Sequence, residues 1–358
     1  MWKKILKSLL VVLLVLVLVV LGYVGYVFGT YSRIEDNLEL NVTHNSLMDP
    51  CQTNTEYTIF TQNLGFGAYT ADFTFFMDGG DDSVAESAES VKNCTNAACS
   101  VTSQFHPDFI FYQEVDVDGD RSKHVNQTAI LKEFFSSYDE VFACNYHSAY
   151  LFYPVTDPIG QATSGIETFS RYPISSSLRR SFPITTGFGK VVDLDRCYSI
   201  THVPVNNGKE LVLFNLHSSA YAGSPEIRTA QMTKLFNDMK EQKDLGNYVI
   251  CGGDWNHDFT CSSVEYFNGI KDVEYGWCQP FPDSMIPEGF EKQIAYDTQE
   301  LVSTTRNTNI PYGEDSFLAI LDGFITSDNI TVTSLQNYDT AYAYTDHNPV
   351  IMTFVLED

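Results

Sequence analysis

The sequence predicts a layered α/β or α+β protein preceded by one membrane-spanning helix. Two observations support this prediction. Short apolar runs, rich in β-branched and aromatic residues, recur after residue 56, and most of them end in a polar side chain. Segments with helical patterns lie between these runs, so strands and helices must pack as layers that bury their apolar faces against one another.

The N-terminal segment predicts a signal-anchor helix over residues 1–28. A charge-free run of about 20 residues extends from Leu9 to Phe28, which at about 1.5 Å per residue is enough to cross a bilayer. Three lysines precede the run, and they favour a cytoplasmic N-terminus with the remainder on the extracytoplasmic side of the cell membrane. A cleaved signal peptide, and hence a secreted protein, is the alternative, although residues 27–29 form a weak cleavage site.

The composition after the anchor limits the range of partners. The chain has 46 acidic residues, and without the three N-terminal lysines only 18 basic residues remain, which leaves a net charge of −28. Such a field repels nucleic acid and anionic lipid at long range, but it does not exclude a site at which bound cations reverse the local charge. Eight cysteines are compatible with export and with disulfides, including a small loop closed by Cys94 and Cys99.

The rest of the chain divides into a short linker and one domain. Residues 29–55 are polar and mixed, which predicts a stalk, and residues 56–358 are expected to form a single globular domain. Residues 78–103 have the composition of an exposed insertion. The strand signals cover residues 57–63, 109–115, 165–174, 210–217, 248–256, 318–326 and 351–355.

Two helices are expected between these strands. The clearer one covers residues 224–240, where Ser224 is a suitable N-cap and Pro225 stands at the first helical position. The other is expected over residues 120–135.

Acidic, amide and imidazole groups stand at the ends of several predicted strands. Asn215 and His217 are two residues apart, so their side chains point to one face of a strand, and Asp254 and Asn256 repeat the arrangement. The remaining members of the set are Asn63, Glu114, Asp322, Asp346 and His347. Singly, these residues have structural explanations, because aspartate caps turns and asparagine forms them. Their number favours a functional site.

The chemistry of this set indicates phosphate-ester hydrolysis at a metal ion. Carboxylates brought together repel one another unless a hard cation neutralises them, which predicts a Mg²⁺ site with Glu114 as the best ligand; Mn²⁺ or Ca²⁺ are alternatives. Histidine and asparagine side chains beside such an ion supply a base and hydrogen-bond donors for the extra negative charge of a pentavalent phosphoryl transition state.

With these residues, the chain resembles the endonuclease/exonuclease/phosphatase superfamily, which includes pancreatic-type deoxyribonuclease, base-excision endonucleases, neutral sphingomyelinases and inositol-polyphosphate 5-phosphatases. The segments that carry the resemblance lie in the family's order: residues 61–63, 113–115, 169–174, 215–217, 252–256, 321–324 and 345–349. The resemblance implies an α+β fold, a four-layer α/β/β/α sandwich with two central mixed β-sheets and a site between them at one edge. Gly323, Phe324 and Trp255 depart from the family pattern at the rim, so no single member's substrate can be transferred to this chain.

The resemblance also implies a metal site and a base. Glu114 binds the divalent metal, Asn63 lies beside it, and Asp346 faces the metal. Asp254 orients or deprotonates the attacking water, and either Asp254 or His347 is the general base.

The other residues of the set are expected to hold the phosphate or position a catalytic group. By the same resemblance, His217 and Asn256 hold phosphate oxygens, and Asp322 orients the imidazole of His347. Weaker candidates for contact with substrate phosphate are Asn215, Arg121 and Ser170.

These inferences predict a membrane-anchored, extracytoplasmic, Mg²⁺-dependent phosphodiesterase. Nucleic acid is the favoured substrate class and a phospholipid head group the second. The membrane anchor favours lipid, but the sequence shows no evident hydrophobic insertion hairpin, which argues against it. A soluble phosphomonoester is third. The alternative of another class is a non-catalytic surface binding module on the same fold. The membrane is expected as a partner through the N-terminal helix, and nothing in the sequence indicates a protein partner.

Overall fold

Two seven-stranded β-sheets form the centre of the protein, as seen in a computed structural model that describes residues 2–185, 187, 195–219, 225–269, 278–295 and 301–358. Sheet I contains, in spatial order, β17 (Ile330–Asn337), β18 (Val350–Leu356), β3 (Glu56–Asn63), β4 (Phe109–Gly119), β6 (Ala162–Ser170), β5 (Asp139–His147) and β2 (Val42–Thr43). Sheet II contains β1 (Leu38–Glu39), β7 (Ser176–Ser181), β8 (Cys197–Pro204), β9 (Glu210–His217), β10 (Tyr248–Asp254), β16 (Asp322–Ser327) and β13 (Phe290–Gln293).

Both sheets are mixed. The pairs β3–β4 and β9–β10 are parallel, and the other pairs in the two sheets are antiparallel. Two small sheets pair β11 (His257–Asp258) with β12 (Gln279–Pro280) and β14 (Thr305–Arg306) with β15 (Leu318–Ala319).

The central strands are buried on both faces, which explains their nearly continuous apolar sequences. On β3, Ile59 packs between the sheets and Phe60 packs on the opposite face; on β9, Leu213 and Phe214 divide in the same way. All four side chains are fully buried. A strand covered on both sides reads as an apolar run instead of an alternating pattern.

Within the described residues, the α-helices are α1 (Trp2–Thr30), α2 (Ala88–Gln104), α3 (Gln127–Phe134), α4 (Pro225–Asp244) and α5 (Ser263–Asn268). Helices α2, α3 and α4 form the outer layers. Cys99 of α2 and Leu131 of α3 pack with Phe60 on the outer face of sheet I, and Leu235 of α4 packs with Phe214 on the outer face of sheet II. The predicted α+β fold with four layers, α/β/β/α, is therefore confirmed.

Residues 29–55 do not form the expected stalk. Strand β1 pairs with β7 and β2 pairs with β5, so this segment adds an edge strand to each large sheet. Cys51 is fully buried between the sheets. The segment is part of the folded domain, since its backbone pairs with one edge of each large sheet and the Cys51 side chain packs between the sheets.

The expectation of an exposed insertion over residues 78–103 is also wrong for most of that range. Helix α2 occupies residues 88–104, and its N-cap Ser87 accepts a hydrogen bond from the backbone N–H of Ser90. Cys94 and Cys99 both lie on α2, and each of the eight cysteines, all within the described ranges, is a free thiol. The small Cys94–Cys99 loop is thus replaced by a helix.

The two helices predicted within the domain are present as α3 and α4. Asn126 caps α3 by accepting a hydrogen bond from the N–H of Ala129 at 2.9 Å. Helix α4 begins at Pro225, and the proposed cap Ser224 lies outside the described residues. At the N-terminus, α1 is long and apolar enough to cross a membrane.

Candidate active site

A cavity of roughly 1030 Å³ opens at one edge of the sandwich, where the ends of strands from both sheets meet. It is lined by most of the residues singled out in the sequence, namely Asn63, Glu114, Arg121, His217, Asp254, Asn256, Asp346 and His347. The topology explains this convergence. Strand β10 is parallel to β9 and antiparallel to β16, so Asp254 is the register partner of both His217 and Asp322.

The backbone of β4 turns Glu114 toward the cavity. The pairing of β4 with β6 shifts register between Tyr112 and Val115, which marks a β-bulge, and Glu114 has φ +53°. A bulge reorients a side chain within a strand, and a positive φ in a residue other than glycine is strained enough to suggest a functional constraint. The Glu114 side chain is 26% exposed, so its carboxylate can reach a ligand in the cavity.

Glycine permits the close approach of β9 and β10 beneath the site. Gly253 has φ +136°, and a Cβ at this position would lie 2.2 Å from the carbonyl oxygen of Leu216. Any other residue would push the strands apart or change the backbone. The glycine before Asp254 therefore fixes the position of that carboxylate relative to His217.

His347 is held between two carboxylates. Its Nδ1 lies 2.8 Å from Oδ2 of Asp322, and its Nε2 lies 3.8 Å from Oδ2 of Asp254 and 3.3 Å from Oγ1 of Thr305. Burial lowers the pKa of His347, but the carboxylates of Asp322 and Asp254 outweigh burial and raise it well above the ordinary value of 6.5. The charged imidazolium form is favoured.

Asp254 is the centre of a hydrogen-bond network. Its carboxylate accepts hydrogen bonds from Nδ2 of Asn63 at 3.0 Å and from the backbone N–H of Asn256 at 2.9 Å. His217 Nε2 lies 3.5 Å from the same carboxylate and 3.8 Å from Oε1 of Glu114. Burial raises the pKa of Asp254 and lowers the pKa of His217 well below 6.5. His217 is therefore a neutral imidazole beside a basic carboxylate.

The orientation of Asn63 differs from the expectation of a metal ligand. Its Oδ1 accepts a hydrogen bond from the N–H of Gly65 at 2.9 Å, and its Nδ2 faces Asp254 and Glu114. A metal ion is coordinated by the amide oxygen and not by the nitrogen. In this arrangement Asn63 stabilises the two carboxylates as a donor.

Glu114 and Asp346 have the character of a divalent-cation site. Burial raises the pKa of each carboxyl group, and the negative charge of Asp346 raises the pKa of Glu114 further, against the opposing effect of Arg121. A hard divalent cation would neutralise both groups and remove their repulsion, so the donor set fits such an ion. Asp254, Asp322 and His347 form a second group with ligand atoms within 4.8 Å of one another, but Asp322 and His347 are hydrogen-bonded to each other.

Asn256 keeps its predicted position at the cavity wall. Its φ is +50°, and one hydrogen of Nδ2 is donated to the carbonyl oxygen of Ser218 at 2.9 Å. An amide nitrogen carries two hydrogens, so the second is available to a substrate oxygen.

Two of the weaker candidates do not reach the cavity. Asn215 is completely buried beneath it and uses its amide in hydrogen bonds to Gln113 and Glu167. Ser170 is also buried, and its hydroxyl donates to the carbonyl oxygen of Tyr172 and accepts from the N–H of the same residue. The predicted contacts with substrate phosphate are wrong for both residues, because their polar groups hold strands and a turn together.

Arg121 lines the cavity but is already paired. Its Nε and Nη2 donate to the two carboxylate oxygens of Asp116 at 3.1 and 2.7 Å, and its guanidinium lies 4.2 Å from the centre of the Phe66 ring. A bidentate pair leaves little of its charge for substrate. Its positive charge opposes the increase in the pKa of Glu114 that burial causes.

The cavity-lining residues that sequence reasoning missed include Arg196, Thr305 and Arg306. Thr305 forms an isolated bridge with His347, and the backbone N–H of Arg306 donates to the carbonyl oxygen of Asp346. The segment that contains Thr305 and Arg306 has no strong strand pattern in the sequence. Its contact with residues 346–347 arises from the fold alone.

The fold agrees with comparisons to known proteins. The model of the Endonuclease/Exonuclease/phosphatase family matches residues 60–347. No curated protein matches the chain significantly.

Solved structures show the same fold at low sequence identity. An endonuclease/exonuclease/phosphatase from Beutenbergia cavernae DSM 12333 is 15% identical, with a TM-score of 0.53 over 84% of this chain and 72% of that chain. A family protein from Leptotrichia buccalis C-1013-b is 13% identical, with a TM-score of 0.53 over 83% of this chain and 99% of that chain. One from Bacteroides vulgatus is 16% identical, with a TM-score of 0.52 over 85% of this chain and 100% of that chain. The chain belongs to the endonuclease/exonuclease/phosphatase family, whose members hydrolyse phosphate esters with divalent metal ions.

Proposed function

We propose that the protein is a divalent-metal-dependent phosphodiesterase, held in the cell membrane by α1 with its catalytic domain on the extracytoplasmic side. The observation that carries this proposal is the position of His347 between Asp322 and Asp254, in the same cavity as Glu114 and Asp346. That cavity combines a cationic imidazole, a carboxylate suited to act as a base and a pair of carboxylates suited to a metal. A non-catalytic binding module would not need all three.

The charge states favour distinct roles for the two candidate bases. His347 favours the imidazolium form, so its Nε2 hydrogen can stabilise a phosphoryl oxygen or protonate the leaving alkoxide. Asp254 has a raised pKa, which makes it a better acceptor for the proton of the attacking water. We therefore assign the base to Asp254 and the acid to His347.

The remaining groups bind the substrate phosphate and the metal. Glu114 and Asp346 would hold a divalent ion, with Mg²⁺ preferred and Mn²⁺ or Ca²⁺ as alternatives, and the bound ion would neutralise charge on the phosphoryl group. Neutral His217 and the second amide hydrogen of Asn256 would donate to phosphate oxygens.

A phosphodiester fits the cavity better than a phosphomonoester. A diester carries one negative charge and two organic arms, and the cavity of roughly 1030 Å³ is wide enough for both arms. Nucleic acid, favoured by the sequence, and phospholipid head groups both contain such diesters.

The test is hydrolysis of a chromogenic diester, bis(4-nitrophenyl) phosphate, by the full-length protein in detergent with Mg²⁺. Chelator is expected to abolish turnover, and added Mg²⁺ to restore it. His347→Ala is expected to lower turnover about 10³-fold, because the acid is lost. His124→Ala is the matched control, since its side chain is 60% exposed and lies outside the cavity. Turnover that persists in chelator, or at full rate in His347→Ala, would contradict the proposal.

A further inference from the structure

Helix α1 contacts the catalytic domain beside the mouth of the active-site cavity. The Tyr23 hydroxyl donates to the carbonyl oxygen of Tyr150 at 3.1 Å and accepts from the N–H of Phe152 at 2.8 Å. The Tyr26 hydroxyl accepts from the N–H of Tyr150 at 3.3 Å, and the Tyr23 and Phe152 rings meet edge to face at 6.5 Å. These contacts hold residues 150–155, named here the aromatic loop, against the last two turns of α1.

The position of the two tyrosines sets the depth of the aromatic loop. A bilayer core of about 30 Å spans about 20 helical residues, so a core that begins after Lys7, the last charged residue of α1, ends near Val27. Tyr26 then lies at the outer interface, where tyrosine is enriched in membrane proteins, and Tyr23 lies about one turn below it. Because it is hydrogen-bonded to both tyrosines, the aromatic loop lies at the boundary between the hydrocarbon core and the lipid head groups.

The exposed side chains of this loop suit such a position. Phe152 is 54% exposed, Tyr153 69% and Val155 71%, and the Tyr153 ring packs 5.7 Å from that of Phe76. Adjacent exposed apolar side chains are uncommon on a soluble surface and mark an interaction site. The sequence shows no evident insertion hairpin, but the fold places this short loop where one would act.

The same aromatic groups form one wall of the active-site cavity. Apart from the polar site, the cavity is lined by Tyr23, Phe75, Phe76, Phe152, Tyr153 and Ile159. One cavity therefore joins His347, where phosphate chemistry is expected, to a wall that lies at the membrane surface and includes a residue of α1. A matching substrate has an apolar part next to its phosphodiester.

We propose, on the basis of the proposed function, that the substrate is a phospholipid in the same membrane, with its phosphodiester in the cavity and its apolar part against the aromatic wall. In the reaction, the oxygen of water bonds to phosphorus and one ester P–O bond breaks. Asp254 takes the proton of the water, and the leaving alkoxide takes a proton from His347. The products are one alcohol and one phosphomonoester.

The charge of the domain narrows the class of lipid. Net charge after the anchor is −28, which repels polyanionic nucleic acid and anionic lipid surfaces. A zwitterionic head group of the phosphocholine type avoids most of this repulsion. We therefore expect zwitterionic phospholipid to be preferred over DNA, the reverse of the order favoured by the sequence.

The first experiment compares substrates with the full-length protein reconstituted in phosphocholine-lipid vesicles containing Mg²⁺. Turnover of the vesicle lipid, of single-stranded and duplex DNA, and of bis(4-nitrophenyl) phosphate is measured in parallel. Lipid turnover is expected to exceed DNA turnover at least tenfold. Val155→Asp is expected to lower the ratio of lipid to chromogenic-diester turnover at least tenfold, and Tyr266→Asp, also exposed but on α5 outside the cavity, to leave that ratio unchanged.

The second experiment measures depth without using activity. Phe152→Trp and Tyr266→Trp are reconstituted separately with brominated phosphocholine lipid, and the added tryptophan fluorescence is expected to be quenched only in Phe152→Trp. Equal quenching in both variants would overturn the inference, as would cleavage of DNA without lipid or an unchanged ratio in Val155→Asp. If the chromogenic diester is cleaved but lipid is not, only this inference fails. If nothing is cleaved, the proposed function fails with it.

Discussion

The imidazole of His347 is hydrogen-bonded at 2.8 Å to Asp322, which is 25 residues away in the chain, and not to the adjacent Asp346. The antiparallel pairing of β16 with β10 places Asp322 opposite Asp254, and the chain segment before β18 brings His347 to both carboxylates. Asp346 instead lines the cavity with Glu114. Two neighbouring residues thus serve different parts of the site.

Asp322→Asn tests the His347–Asp322 bond. Loss of the carboxylate removes a charge that raises the pKa of His347, so we expect kcat on the chromogenic diester to fall about 10²- to 10⁴-fold with little change in KM. Asp328→Asn, just beyond the other end of β16, is the control and should retain full activity, since Asp328 pairs on the surface with Lys243. Equal kcat values for Asp322→Asn and the wild type would refute the positioning role.

Glu114→Gln tests the metal site by calorimetry and thermal unfolding. We expect Mg²⁺ or Mn²⁺ affinity to fall at least tenfold, because the amide removes a carboxylate ligand. Without metal, the variant should unfold at a temperature equal to or above that of the wild type, since repulsion with Asp346 is removed. Glu291→Gln, an exposed change on β13, should leave both measurements unaltered. Undiminished metal affinity in Glu114→Gln would place the ion elsewhere.

The buried carboxyl group of Glu167 lies away from the active site and should make the free energy of unfolding decrease as pH rises. Burial and the neighbouring Glu140 raise its pKa well above 4.5. The folded state therefore binds this proton more tightly than the unfolded state, and the contribution of Glu167 to the free energy of unfolding falls as pH rises from about 4.5 toward the raised pKa.

Glu167→Gln should remove that dependence. We expect the variant to gain stability over the wild type between pH 5 and pH 8, by about 1 kcal/mol or more, because an uncharged amide replaces the acid and can donate to Glu140. Urea unfolding at several pH values in detergent measures the difference. Exposed Glu265→Gln should give a difference near zero throughout. A gain that is independent of pH would contradict the assigned cause.

The orientation of the anchor can be tested through its three N-terminal lysines. External protease should remove the catalytic domain from intact cells, since positive charge is retained on the cytoplasmic side. Changing all three lysines to glutamate should reduce the fraction of the protein that external protease cleaves. The same change at Lys123, Lys209 and Lys240, which lie in the domain, should leave that fraction unchanged. Domain released in soluble form into the medium would indicate cleavage instead of anchoring.

The sequence identified the central strands and most of the site for one physical reason. Strands buried on both faces must be apolar along their length, so β3, β4, β9 and β10 are visible without any structure. Polar groups that end such strands are conspicuous, which is how Asn63, Glu114, His217 and Asp254 were found. Membrane crossing similarly requires a long apolar run, and α1 has one.

Edge strands and loops carried no comparable signal. Strands β1 and β2 are two residues long and gain their stability from backbone pairing with β7 and β5, which places little demand on side chains. The aromatic loop has an apolar sequence that could equally belong to a buried strand, and its position at the mouth of the cavity depends on contact with Tyr23.

By itself the sequence determined the layered fold, the chemical groups available and the apolar anchor, because burial and membrane insertion both require local patterns of side chains. Only the tertiary structure decided which of these groups meet. It paired His347 with Asp322, turned the amide nitrogen of Asn63 toward the carboxylates and enclosed Asn215 and Ser170 below the site. Such contacts join segments far apart in the chain, so their geometry depends on sheet register and strand crossings that no local pattern encodes.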